Sequence, residues 1–280
     1  MTSNACAPPT SVSRGRLGDT DRVPSFVENW LKSAALEVQE YVKLLVAALR
    51  AVVSPPLYRY DIVEQFDLIG VGSLTVVLLT GLFTGMAITA QSGLTLDQFG
   101  ARPVVGRLVS ASMIKELGPV LTALMLVGRV GSGIAAELGS MMVTDQINAL
   151  RALGTDPIRK LVVPRMVAGF LMTPILTVIS DAVGITGGWV VARFQLQVNS
   201  GVYWSSVRDG LYLQDIYGMG LVKPFVFGFI IVTIACHVGM RTSGGTAGVG
   251  KSTTVAVVAG SVLVIAADFF VNQILVALLY

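Results

Sequence analysis

The sequence predicts an all-α integral membrane protein with about five transmembrane helices. Three observations carry this. Of the 280 residues, 53% are apolar and 13% are charged, about half the charge of an ordinary soluble domain. Mean hydropathy is +0.73. The stretch from Leu68 to Leu96 runs 29 residues without a charge, where a hydrocarbon layer needs about 20. The net charge of +3, with no basic cluster, argues against nucleic-acid binding. One histidine, His237, and two cysteines, Cys6 and Cys236, lying in a polar tail and an apolar run, leave little for a metal site or a disulfide. Cys236 reads as a small core residue.

Residues 1–24, rich in Ser, Thr, Pro, Gly and Arg, read as a disordered tail. No apolar segment follows the early arginines, so they are not a secretory signal, and Asp19 and Asp21 speak against a transit peptide. Residues 25–56 form the next unit. Ser25 and Glu28 fit a capping box. Val27, Leu31, Ala34, Val38, Val42, Leu45, Leu49 and Val52 recur at helical spacing, with charges mostly elsewhere on the wheel. Ser54-Pro55-Pro56 ends the helix. Beside a membrane domain, such a helix is expected to lie in the interface plane.

The membrane domain is expected over 57–280, with spans at about 66–92, 105–137, 166–192, 216–240 and 252–279. In the first, Gly81 and Gly85 form a GxxxG face that allows close helix contact. With the N-terminus inside, 13 of the 20 Lys and Arg fall in cytoplasmic segments, which favours a cytoplasmic N-terminus. The connector at about 138–157 is unlike the others. Thr144 can cap a short helix with Ile147, Leu150 and Leu153 on one edge, and Gly154 and Pro157 stop it. Its shape suits either partner docking or an interfacial connection.

Residues 245–252 match the nucleotide-binding P-loop pattern, with Gly245, Gly250, Lys251 and Ser252 at its defining positions. That motif belongs between a sheet strand and a helix. Here it joins two membrane-length runs, and only 16 residues separate Lys251 from Asp268. It is expected to be a flexible Gly-rich cytoplasmic loop that binds no nucleotide.

Charges at membrane depth are costly and face a bundle interior or a wet cavity. Lys115 and Glu116 are neighbours, so they point to different faces and each needs its own partner. Pro119 frees a backbone carbonyl nearby. Glu116, Lys223 and Asp268 come from three spans and could neutralise one another, either as an ion-pair lock or as the wall of a cavity that meets a polar head group. Asp181, beside Gly184, Gly187 and Gly188, either pairs with another charge or faces a dimer seam. A proton-coupled secondary transporter using Glu116, Asp181 or Asp268 is the alternative function; the absence of an internal repeat counts against it.

The run Lys115-Glu116-Leu117-Gly118-Pro119-Val120, then Gly128-Arg129, Ala136-Glu137-Leu138-Gly139, Val143-Thr144-Asp145-Gln146-Ile147, Gly154-Thr155-Asp156-Pro157 and Val163-Pro164-Arg165 resembles the MlaE/YrbE family of permeases from Mla/MCE lipid-transporting ABC systems. Lys115 and Lys251 stand where that family often has Arg. The resemblance implies a bacterial inner-membrane protein that forms a dimer with itself or a paralogue. It implies an MCE-domain partner and a lipid cavity between protomers, lined or braced by Glu116, Lys223 and Asp268, with Lys115 and Asp181 as further candidates for the intramembrane charge network. It makes the 138–157 connector a coupling helix that docks a separate ATPase through Glu137, Thr144, Asp145, Gln146, Leu150, Arg151 and Asp156. ATP and magnesium would be used by that ATPase, and this chain would bind no cofactor or metal.

Overall fold

The computed structural model describes residues 25–53 and 58–279, which are helical apart from short connections, with no strand among them. The tail 1–24 and the Ser54-Pro55-Pro56 stop lie outside the described residues, as do the side chains of the Ser25/Glu28 capping box and of Val27, Leu31 and Ala34. We number the helices α1 (Ser25–Val53), α2 (Arg59–Gln98), α3 (Arg102–Val143), α4 (Gln146–Ala152), α5 (Ile158–Phe194), α6 (Ser200–Gly210), α7 (Leu213–Gly239) and α8 (Gly245–Leu279). Five of them, α2, α3, α5, α7 and α8, are long and apolar enough to cross a membrane. All exceed the spans expected from hydropathy, because helical pairing continues through the polar flanks.

From Lys43 onward the chain forms one unit. In this part of α1, Ala48 and Ala51 are buried and Val52 packs against the core, while Leu49 is 45% exposed.

Small residues set the helix contacts. Side chains added at Gly81 and Gly85 on α2 would strike the backbone of Ser180 and Gly184 on α5, so the GxxxG face does form a close contact. Gly228 on α7 meets Gly169 and Thr173 of α5 in the same way. Without a hydrophobic force between helices in lipid, such close van der Waals packing supplies the association energy. Val127, Leu126, Ile134 and Leu138 of α3, Leu176 of α5 and Phe227 of α7 fill the main core.

Five segments widen to π-helical turns. Three of them, Met113–Leu117, Ile158–Val162 and Gly218–Val222, end two residues before Pro119, Pro164 and Pro224. Proline lacks an N–H and crowds the carbonyl four residues back, so the preceding turn opens to accommodate it.

The connector between α5 and α7 contains α6, a helix not expected from the sequence. Asn199 caps it by accepting from Gly201 N–H at 2.8 Å. Tyr203 is fully buried and donates to Ile185 O at 2.9 Å, tying α6 to α5. Val105, Val109 and Met113 of α3 complete this second, smaller core.

Candidate functional site

Pro119 has no N–H to offer the carbonyl of Lys115. Lys223, the first residue after the π turn of α7, takes that carbonyl instead: its Nζ donates to Lys115 O at 2.9 Å. The same Nζ donates to Glu116 Oε2 at 2.9 Å and lies 3.1 Å from Asp268 Oδ1 on α8. An ammonium carries three N–H donors, and three oxygens from two helices surround it. Lys223 is 0% exposed. A lone ammonium at that depth would cost several kcal/mol, about what two carboxylates and a carbonyl must offset. Glu116 remains 41% exposed at its side chain and Asp268 21%, so the cluster is sealed on the lysine side and open on the acid side. The expected grouping of Glu116, Lys223 and Asp268 is therefore present.

Lys115 points elsewhere, as its neighbour position requires, and pairs with Asp215 Oδ2 at 2.9 Å. Asp215 is 2% exposed and was not expected here. The available signal was its place as the one acid between Tyr212 and Lys223. Five ionisable groups thus form two linked sets joined through the Lys115 backbone.

Asp181 does not join them. It is 6% exposed, its Oδ1 has no hydrogen-bond partner, and its carboxyl lies against Gly118 of α3, where any side chain would collide with it. The expectation that it shares the charge network is corrected: α5 presents it to the small Gly118 of α3, and it enters no ion pair among the described residues.

At the opposite end of α3, the chain turns at Asp145, whose φ of 58° puts it in the left-handed region. Asp145, rather than Thr144, occupies the N-cap of α4. Thr144 instead donates back to Ser140 O at 2.8 Å. The Asp145 carboxylate accepts from Asn148 Nδ2 at 2.9 Å. Asp156 accepts from Ile158 N–H at 3.0 Å, opening α5. The expected apolar edge divides: Ile147 is buried, Leu150 packs against the core, and Leu153 is 80% exposed. Gln146, Asn148 and Arg151 are exposed beside it. The helix is shorter than the expected 138–157, since α3 continues to Val143. Glu137 therefore lies on α3, where it pairs with the buried Arg165 at 2.7 Å.

The P-loop lookalike is not a loop. Gly244 and Gly245 have φ of 92° and 68°, and from Gly245 the chain is helical through Leu279. Thr242 donates to Ser252 Oγ at 2.8 Å, and Lys251 is exposed. Amides from the second turn onward are spent on helix bonds, so they cannot form the open cradle that phosphates need. The expected flexible loop is corrected to two turns of α8. Glycine is better tolerated in membrane helices than in soluble ones.

Five membrane-length helices enclosing ion pairs define a multi-pass membrane protein. The chain belongs to the MlaE permease family, whose model, described as permease MlaE, matches residues 62–274. That interval contains every residue of the charge cluster and all of α4. The chain is 42% identical over 217 residues to a probable ABC transporter permease protein of Synechocystis, covering 78% of this chain and 82% of that one. It is 41% identical over 228 residues to a probable ABC transporter permease protein of Rickettsia typhi, covering 81% and 88%. It is 33% identical over 258 residues to the intermembrane phospholipid transport system permease protein MlaE of Haemophilus influenzae, covering 89% and 98%.

Proposed function

We propose that this chain is the permease subunit of an ABC transporter that moves phospholipid or a related lipid between the membrane and an MCE-domain partner. The family match over residues 62–274 carries this reading, and the relative from Haemophilus influenzae, named for phospholipid transport, supplies the substrate class. ATP and magnesium are used by a separate ATPase subunit. The permease works as a dimer with itself or a paralogue in the bacterial inner membrane, with its N-terminus cytoplasmic and α1 in the interface plane.

The mechanism follows from how α4 is attached. Two residues, Thr144 and Asp145, separate it from α3, and Ile147 anchors it in the core. A displacement of α4 by the ATPase is therefore passed to α3 rather than absorbed by a loop. α3 carries Lys115 and Glu116 at its π turn, so tilting it changes the ion cluster and the space beside it. ATP binding shifts the population between two arrangements of the spans.

Charge reversal at Asp145 or Arg151 tests the docking role. The expected result is weaker co-purification of the ATPase with membrane insertion intact. Unchanged co-purification removes the docking assignment.

A further inference from the structure

A second polar feature lies away from the ion cluster. Arg129 sits on the π turn Val127–Gly131 of α3, fourteen residues from Val143, about 21 Å along the helix. Its Nη1 donates to Ser73 Oγ of α2 at 2.8 Å. A side chain at Gly72 would press against the guanidinium, so glycine there lets the group lie flat on α2. Arg129 enters none of the ion pairs formed among the described residues. It is exposed and lines a cleft of about 260 Å³ whose walls include Leu68, 52% exposed, over the buried Ile69, Val130 and Ile134. Gly133, one turn on, has open space where a side chain would stand.

This cleft shares Gln65, Leu68 and Glu137 with a second one of about 190 Å³ nearer α4. There the remaining cations are satisfied: Arg165 by Glu137, and Lys160 by Asp61 at 2.6 Å. Glu64 adds a further acid. The groove is thus polar toward the α4 end, and its larger, deeper part holds one guanidinium outside the ion pairs of the described residues.

We propose that the groove between α2 and α3 is a lateral binding site for a phospholipid, with Arg129 holding the phosphodiester and an acyl chain lying along the exposed Leu68. Charge complementarity selects this occupant. A guanidinium within a membrane span needs an anion, its fork matches phosphate oxygens, and among the described residues Ser73 alone bonds it. Apolar walls and the space at Gly133 suit chains entering from the side. The site is separate from the Glu116–Lys223–Asp268 cluster and rests on the permease reading, for which it names a place where lipid is loaded.

The test uses the full-length protein with a benzophenone amino acid at Gly133, in vesicles of phosphatidylglycerol or of an uncharged diacyl glycolipid with the same chains. Light-induced lipid adducts are counted by mass spectrometry. The expected result is a phosphatidylglycerol adduct and about tenfold less glycolipid adduct, the factor expected from one charge-assisted hydrogen bond. Arg129→Gln should lower the phosphatidylglycerol adduct by a similar factor, and Arg129→Lys should retain most of it. Equal adducts from both lipids would overturn the site, since annular chains alone give that result. A cross-link to a second copy of the chain would also overturn it, showing that another protomer covers the groove. No ATP is present, so failure here leaves the ABC permease reading standing. Failure of ATP-driven transport, in turn, leaves the adducts unchanged.

Discussion

α7 and α8 are the two most apolar spans, with mean hydropathies of 2.1 and 2.3 in their best windows, yet 67% of the first window is buried and 17% of the second. α7 is held by small residues and one charge: Gly228 touches α5, Gly239 touches Ala135 and Leu138 of α3, and Lys223 closes the ion cluster. α8 turns Val255, Val258, Val262, Phe269 and Phe270 outward and contributes Asp268 from its inner face. Hydropathy reports compatibility with lipid and does not report which span lies at the centre. In a membrane, small side chains and satisfied polar groups mark the centre.

Breaking the α7 anchor should have the largest effect. Lys223→Met removes the cation between Glu116 and Asp268 and leaves the Lys115 carbonyl unpaired. The expected loss is about 3–5 kcal/mol, read as a lowered unfolding midpoint in detergent. A loss below about 1 kcal/mol would mean that the cluster does not hold α7 in place. Next, Gly228→Leu forces α7 away from Gly169 and Thr173 and should cost about 1–3 kcal/mol by the same measurement. Asp268→Asn on α8 leaves a neutral oxygen near Lys223 and keeps Glu116 as the charged partner, so about 1 kcal/mol is expected. Val258→Ala, on a side chain 58% exposed, should change stability by no more than about 0.5 kcal/mol. A drop as large as that for Gly228→Leu would show that another chain covers α8.

The parts legible in sequence are those governed by local rules. A charge-free run gives α2, and the small-residue spacing of Gly81 and Gly85 marks the face of its close contact, though not α5 as the partner. The rule that neighbouring residues diverge gives separate partners to Lys115 and Glu116, and Pro119 marks the freed carbonyl. What escaped depends on tertiary placement. Asp215 lies 100 residues from Lys115 in the chain, and no local pattern relates them. Asp181 has the same residue type as Asp268 and also lies within a span, and only its tertiary placement against Gly118 sets it apart from the cluster. Residues 245–252 have loop composition, yet the left-handed glycines at 244 and 245 start the helix at once. Thr144 and Asp145 are both capping types, and Asp145 takes the left-handed turn, where Asp is better tolerated than a β-branched residue.

Under the proposed function, lipid moves only with energy supplied by a separate ATPase. The most direct measurement is transfer of a labelled phospholipid in proteoliposomes, with and without the co-purified ATPase, ATP and an imposed proton gradient. Transfer that requires the ATPase and ATP and ignores the gradient is the expected result. Gradient-driven transfer with no ATPase present would contradict the account and assign the intramembrane carboxylates to proton coupling instead.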